Sequence, residues 1–162
     1  MIKAALTVED AKAGMRSLAP QIERYASLIV RKGVHVKPGQ ELVIMSPVET
    51  AEFARTLVRC AYEAGAGHVT VVWSDDAVTR LTYENHELSY FEQMPEWQRT
   101  QYETLAEAGA CFVFVEGSDP EALKGIDPAK PTAASRTCNT QCQRFRRGLD
   151  FNINPWCIAG AP

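Results

Sequence analysis

Apolar positions along the chain follow two rhythms in turn. Ile22, Tyr25, Ala26, Ile29 and Val30 recur at helical spacing, and Gly33 stands where a helix C-cap belongs. Regular structure is therefore expected to begin near Pro20. Lys37, Pro38, Gly39 and Gln40 read as a type II turn, Pro presetting φ and Gly taking the positive φ. Residues 42–45 form a short continuous apolar run, the pattern of a strand covered on both faces. The next four residues read as a capping box: Ser46 at the N-cap, Pro47 at the first helical position, and Glu49 three residues after the serine. Phe53, Leu57, Ala61 and Ala64 then share one helical stripe that ends at Gly65. Residues 68–73, rich in Val and Thr, read as a second strand.

Strand, helix and strand with short connections make a parallel βαβ unit. The alternation repeats more loosely downstream. A helix opens at Pro95 and stops at Gly109, and residues 111–115 form a third strand. Asp119-Pro120 and Asp127-Pro128 look like cap-plus-proline helix starts. A helix over about 133–147 places Ala134, Cys138, Cys142 and Phe145 on one face, and residues 156–159 form a fourth strand. The pattern predicts a layered α/β domain: a mostly parallel sheet of at least four strands with helices on both faces. The 42–45 strand should lie inside, flanked by strands 68–73 and 111–115. Residues 1–17 lack periodicity and read as a tail or arm ahead of a domain over 18–162. Because a parallel strand needs covering, an ending at Gly160, Ala161 and Pro162 is expected to reflect truncation.

Composition narrows the class. A net charge of −3 argues against a nucleic-acid partner, which a basic surface would favour. No apolar run nears the ~20 residues that span a bilayer, and the start lacks a secretory signal, so no membrane partner is expected. The five cysteines, Cys60, Cys111, Cys138, Cys142 and Cys157, are odd in number and mostly embedded in apolar patterns. That is the usage of reduced, buried thiols, and it points to the cytoplasm.

Signatures of phosphate loops, dinucleotide folds and zinc helices are absent. His35, His68 and His86 are isolated and read as structural. Cys138 and Cys142, four apart, read as core packing, with redox or metal chemistry as the alternative. Arg136, Arg144, Arg146 and Arg147 read as a solvated or domain-facing cluster rather than an anion site. Trp73, Ser74, Asp75 and Asp76 sit at the carboxyl end of a predicted strand, where open α/β sheets place their sites. The two aspartates could line a site or cap the next helix. With Ser46 and Glu49, these residues mark two loops expected to lie side by side across the switch in chain direction, facing a further domain.

Several stretches in order carry a resemblance: Tyr25 to Val30, Val36-Lys37-Pro38-Gly39-Gln40, Leu42-Val43-Ile44, Pro47-Val48-Glu49, Ala61-Tyr62-Glu63-Ala64-Gly65-Ala66, Val72 to Asp76, Arg80 to Glu84, and Pro95-Glu96-Trp97. Together they resemble the amino-terminal domain of the thermophilic metalloprotease family, which includes aminopeptidases T and S. The resemblance implies a cytosolic exopeptidase removing amino-terminal residues from peptides, with two divalent metal ions of the zinc, cobalt or manganese class. It further implies that the metal ligands belong to a carboxyl-terminal domain absent from this chain, leaving no catalytic or metal-binding residue here. This part would then scaffold or gate the metal site and support a homodimer, and would be inactive alone. A free-standing α/β module binding a small ligand is the competing reading.

Overall fold

The computed structural model describes residues 8–162, with side chains from residue 18 onward. What the arm reading says of residues 1–7 lies outside the described residues. Helix α1 (Val8–Leu28) contains Pro20, so the helix begins well before the point that apolar periodicity suggests. The residues ahead of Pro20 include Glu, Ala, Lys, Met and Arg. Their intrinsic propensity favours helix without leaving an apolar rhythm to read.

Four strands follow: β1 (Glu41–Pro47), β2 (His68–Ser74), β3 (Cys111–Glu116) and β4 (Trp156–Gly160). They form one sheet in the order β2-β1-β3-β4, and every pairing is parallel. The strand read at 42–45 is interior and flanked as expected. Helix α2 (Ala51–Glu63) links β1 to β2. Helices α3 (Asp76–Asn85) and α4 (Glu96–Glu107) link β2 to β3, and α5 (Ala129–Gln141) and α6 (Gln143–Asp150) link β3 to β4.

Alternation along the strands sorts side chains to two faces. Leu42 and Ile44 pack with Val30, Leu57, Ala61 and Val113 in one buried cluster under α1 and α2. Val43 and Phe112 pack with Ala106, Cys142, Phe145 and Leu149 in the other, under α4 and α6. Helices therefore cover both faces. Each fully buried side chain of Leu or Phe size contributes roughly 1.5–3 kcal/mol relative to exposure. No helix among the described residues is long and apolar enough to cross a membrane.

Local readings need correcting at four places. The residue with positive φ after the first helix is His35 (φ 49°), not Gly33; a π-helical turn over Ile29–Gly33 ends it, with the Val34 N–H donating to the Ile29 carbonyl at 2.9 Å. Gly33 is needed for closeness instead, since a Cβ there would stand 3.1 Å from Cys157 Sγ. The capping box does not form. Ser46 and Pro47 stay in β1, paired with Trp73 and Ser74, and a short 3₁₀ turn over Val48–Thr50 precedes α2 with Pro47 as its uncapped N-cap. Residues 120–125 are turns rather than a helix start: Asp119 Oδ1 accepts from the Glu121 N–H at 2.9 Å, closing a local turn. Finally, the helix read over 133–147 is two helices. It breaks at Cys142 (φ −103°, ψ 56°), which lets Phe145 and Leu149 of α6 turn into the second core.

Candidate functional site

The sheet order fixes where a site can form. From β1 the chain moves to β2 on one side, and from β3 to β4 on the other, so the switch lies between β1 and β3. The loops after β1 and β2 are adjacent, as their residues imply, but they do not straddle that switch. The loop following β3 does, and the sequence reading missed it.

Three loops meet around an open cleft of about 570 Å³, lined among others by Glu49, Asp76, Arg80, Gly117, Ser118 and Asp119. Gly117 allows the β3 loop to close on the β1 loop: a Cβ there would fall 2.5 Å from Thr50 Cγ2. Asp76 ties the β2 loop to the β3 loop, its Oδ2 accepting the Asp119 N–H at 2.8 Å. Arg80, one turn into α3, donates to the Ala122 and Lys124 carbonyls at 2.8 and 3.0 Å and pairs with Glu84 at 2.8 Å. Lys130 Nζ adds a bond to the Tyr83 carbonyl at 2.7 Å. The edge is thus latched by side chain to backbone bonds.

The six residues singled out by sequence divide in role. Ser46 is buried, its hydroxyl 2.8 Å from Thr50 Oγ1, and belongs to the scaffold of the β1 loop. Asp75 is the N-cap of α3, its Oδ1 accepting from the Val78 N–H at 3.0 Å, so the capping alternative describes it. Asp76 is the latch. Ser74 pairs in register with Pro47. Glu49 is exposed at the cleft wall, and Trp73, on the edge strand, leaves 44% of its surface to solvent.

A metal needs converging donors. Among the His, Cys, Asp and Glu side chains of the described residues the group close enough is Glu23, Cys60 and Glu63, on α1 and α2, with ligand atoms within 4.8 Å of one another. The sequence reading did not find it, because its members are far apart along the chain. Both Glu23 oxygens already accept from Arg59, at 2.8 and 3.3 Å, and burial pushes the Cys60 thiol up. Such a donor set does not fit a resident catalytic ion, which takes three free ligands and an open position. The cleft carboxylates of Glu49, Asp76 and Asp119 are not among those that converge.

The histidines have local structural partners: Nδ1 of His35 meets the Arg31 carbonyl and Nδ1 of His86 the Thr82 carbonyl, each at 3.1 Å, while His68 opens β2 at the surface. The arginine cluster is split between α5 and α6. Arg144 pairs with Glu107, Arg146 with Asp150, and Arg147 lies over the Phe151 ring.

The profile of the thermophilic metalloprotease family matches residues 18–162. Aminopeptidase AmpS of Bacillus subtilis is 37% identical over 147 residues, covering 91% of this chain and 36% of the relative. Aminopeptidase T of Thermus aquaticus is 33% identical over 147 residues, covering 89% and 35%. The fold is similar to the solved structure of wild-type AmpT from Thermus thermophilus, with a TM-score of 0.79 at 26% identity over 88% of this chain and 36% of that one. The chain thus spans 36% or less of the length of these relatives.

Proposed function

Because the chain belongs to the thermophilic metalloprotease family, we propose that it is the amino-terminal α/β domain of a metal-dependent aminopeptidase acting on peptides. The relatives' names as aminopeptidases support the activity, and the poor fit of the Glu23, Cys60 and Glu63 group supports placing the metal elsewhere in the enzyme. There, two divalent ions of the zinc, cobalt or manganese class would polarise the peptide carbonyl and activate water. The enzyme works in the cytoplasm as a homodimer, the state implied by the family resemblance.

This domain's own part is to hold an edge. One observation carries that reading: Asp76 and Arg80 tie the β2 side to the β3 loop and Gly117 lets that loop close on the β1 loop, while Glu49 lines the cleft and Trp73 stays exposed near the end of β2. A rigid edge with an exposed indole suits contact with a neighbouring domain, since aromatic anchors are favoured at interfaces. The edge faces the remainder of the enzyme and shapes access to its metals.

Kinetics of the full-length enzyme separate the roles. Trp73→Ala and Asp76→Ala should lower kcat/KM by roughly 10-fold or more through misplaced substrate. Asp75→Ala should lower the thermal midpoint and leave kinetics intact. Unchanged kinetics in the first two variants would remove the access role.

A further inference from the structure

One group of side chains stands outside both the latched edge and the family's chemistry. Two sulfur atoms meet beneath the second face of the sheet, and a third packs against the same cluster. Cys142 is fully buried at the break between α5 and α6, and its Sγ lies 3.5 Å from Met94 Sδ. Cys138, one turn earlier and half-buried, is a side-chain neighbour of Cys142, each altering the other's hold on its proton. The grouping is built rather than incidental to one helix. Thr137 anchors α5 by donating to the Phe91 carbonyl at 2.8 Å, which brings the segment carrying Met94 against α5. The break at Cys142 then turns its thiol out of a regular helical path.

We propose that Cys138, Cys142 and Met94 form a binding site for one soft monovalent cation of the copper(I) class. Two thiolates and a thioether suit a soft ion such as copper(I): calcium and magnesium take oxygen donors, and a thioether is not among the usual ligands of zinc. Binding releases both thiol protons: two thiols and Cu⁺ give a dithiolate complex of charge −1 and two H⁺. The positive charge of Arg99 on α4 favours the Cys142 thiolate and that of Arg146 on α6 favours the Cys138 thiolate, which suits an anionic complex. The Glu103 charge opposes the Cys142 thiolate, but its Oε1 accepts the Arg144 and Phe145 N–H groups at 3.0 and 3.2 Å, which satisfies much of that charge locally. Tyr102, its ring tilted against Phe145 with centroids 5.0 Å apart, packs on the same apolar cluster as Cys138 and Met94. Burial holds the free Cys142 thiol up at about 11, so the site is neutral at pH 7 until the ion displaces the protons. The half-buried side of Cys138 is the way in.

Anaerobic titration of the reduced chain with copper(I), in competition with bicinchoninate, tests the site. One equivalent should be withheld from the competitor, and its X-ray absorption spectrum should show sulfur as the only element bonded to copper. Cys138→Ser, at a half-buried position that folding tolerates, should weaken binding by more than the roughly 10–100-fold typical of losing an outer-shell partner. Met94→Leu should weaken it less, and Cys157→Ala, on β4, should leave it unchanged. Binding should weaken as pH falls, because protons compete for both thiolates. The assignment is overturned if wild type withholds no copper, if Cys138→Ser binds as wild type does, or if Cys157→Ala abolishes binding.

Discussion

The two outward parallel crossovers of this domain solve the same problem differently. Between β1 and β2 the connection is a short 3₁₀ turn and α2, with one buried stripe of Phe53, Leu57 and Ala61. The turn after α2 is bonded to the turn ahead of β1, the Gly39 N–H donating to the Gly65 carbonyl at 2.8 Å and the Gly67 N–H to the Gln40 carbonyl at 2.9 Å. Between β3 and β4 the path runs through a strapped loop and a broken helix. There α5 buries only Thr137, while α6 buries Phe145, Gly148 and Leu149. A helix lying directly on a sheet is positioned by its apolar stripe. A connection lying partly on other connections is positioned by polar side chains reaching backbone, as with Arg80, Lys130, Thr137 and Asn154.

Matched truncations in the two crossovers test that contrast most strongly. Leu57→Ala, at a site with no exposed surface, should cost about 2–5 kcal/mol in denaturant unfolding. Leu149→Ala, at the margin of the second cluster, should fall at the low end of that range, and a larger loss there would reverse the comparison. Asn154 gives the next largest effect. It is 2% exposed, and its Nδ2 donates to the Ala106 and Ala110 carbonyls at 3.1 and 2.8 Å. Asn154→Ala should cost about 1–3 kcal/mol because two buried carbonyls lose their donor. A cost near zero would mean that packing, not polar anchoring, sets the second crossover.

Asp75→Ala should remove about 1 kcal/mol, the value of an N-cap, measured as a small fall in thermal midpoint. The smallest effect at neutral pH, and one confined to alkali, comes from the thiols. Burial pushes Cys111 and Cys142 up to about 11 from an ordinary 9.0. Below about pH 9 both folded and unfolded states keep these protons, and their contribution is complete. Between about 9 and 11 the unfolded chain releases them while the folded chain does not, so stability falls as pH rises. Alkylation of the native chain at pH 8 should mark Cys138 and Cys157 before Cys111 and Cys142, and uniform labelling would contradict the burial.

The same contrast explains what could be read from residues. The β1–α2–β2 unit was legible almost to its ends, since its stripe, turn glycine and strand runs all coincide at Leu57, Gly39 and Ile44. Four strands, their parallel sense and the interior place of β1 followed. The break at Cys142 was not legible, because Cys138, Cys142 and Phe145 fit one helical face as well as they fit two helices. Nor was the cleft. Ser46 and Glu49 suggested a capping box by spacing, whereas pairing with Trp73 and Ser74 across the sheet keeps Ser46 in the strand. The third loop was read at Asp119-Pro120 as a helix start, and the latch from Asp76 joins residues 43 apart in sequence. Long-range hydrogen bonds of that kind leave no periodic trace.

The central claim is that this domain shapes access to a metal centre without holding it. The chain of residues 1–162 should be incubated with zinc, cobalt or manganese and assayed with a leucyl chromogenic substrate, while calorimetry follows binding of the same ions. The account predicts no turnover with any of them and no stoichiometric catalytic-type binding by Glu23, Cys60 and Glu63. Turnover that appears with one added ion and disappears in Glu23→Gln would contradict it.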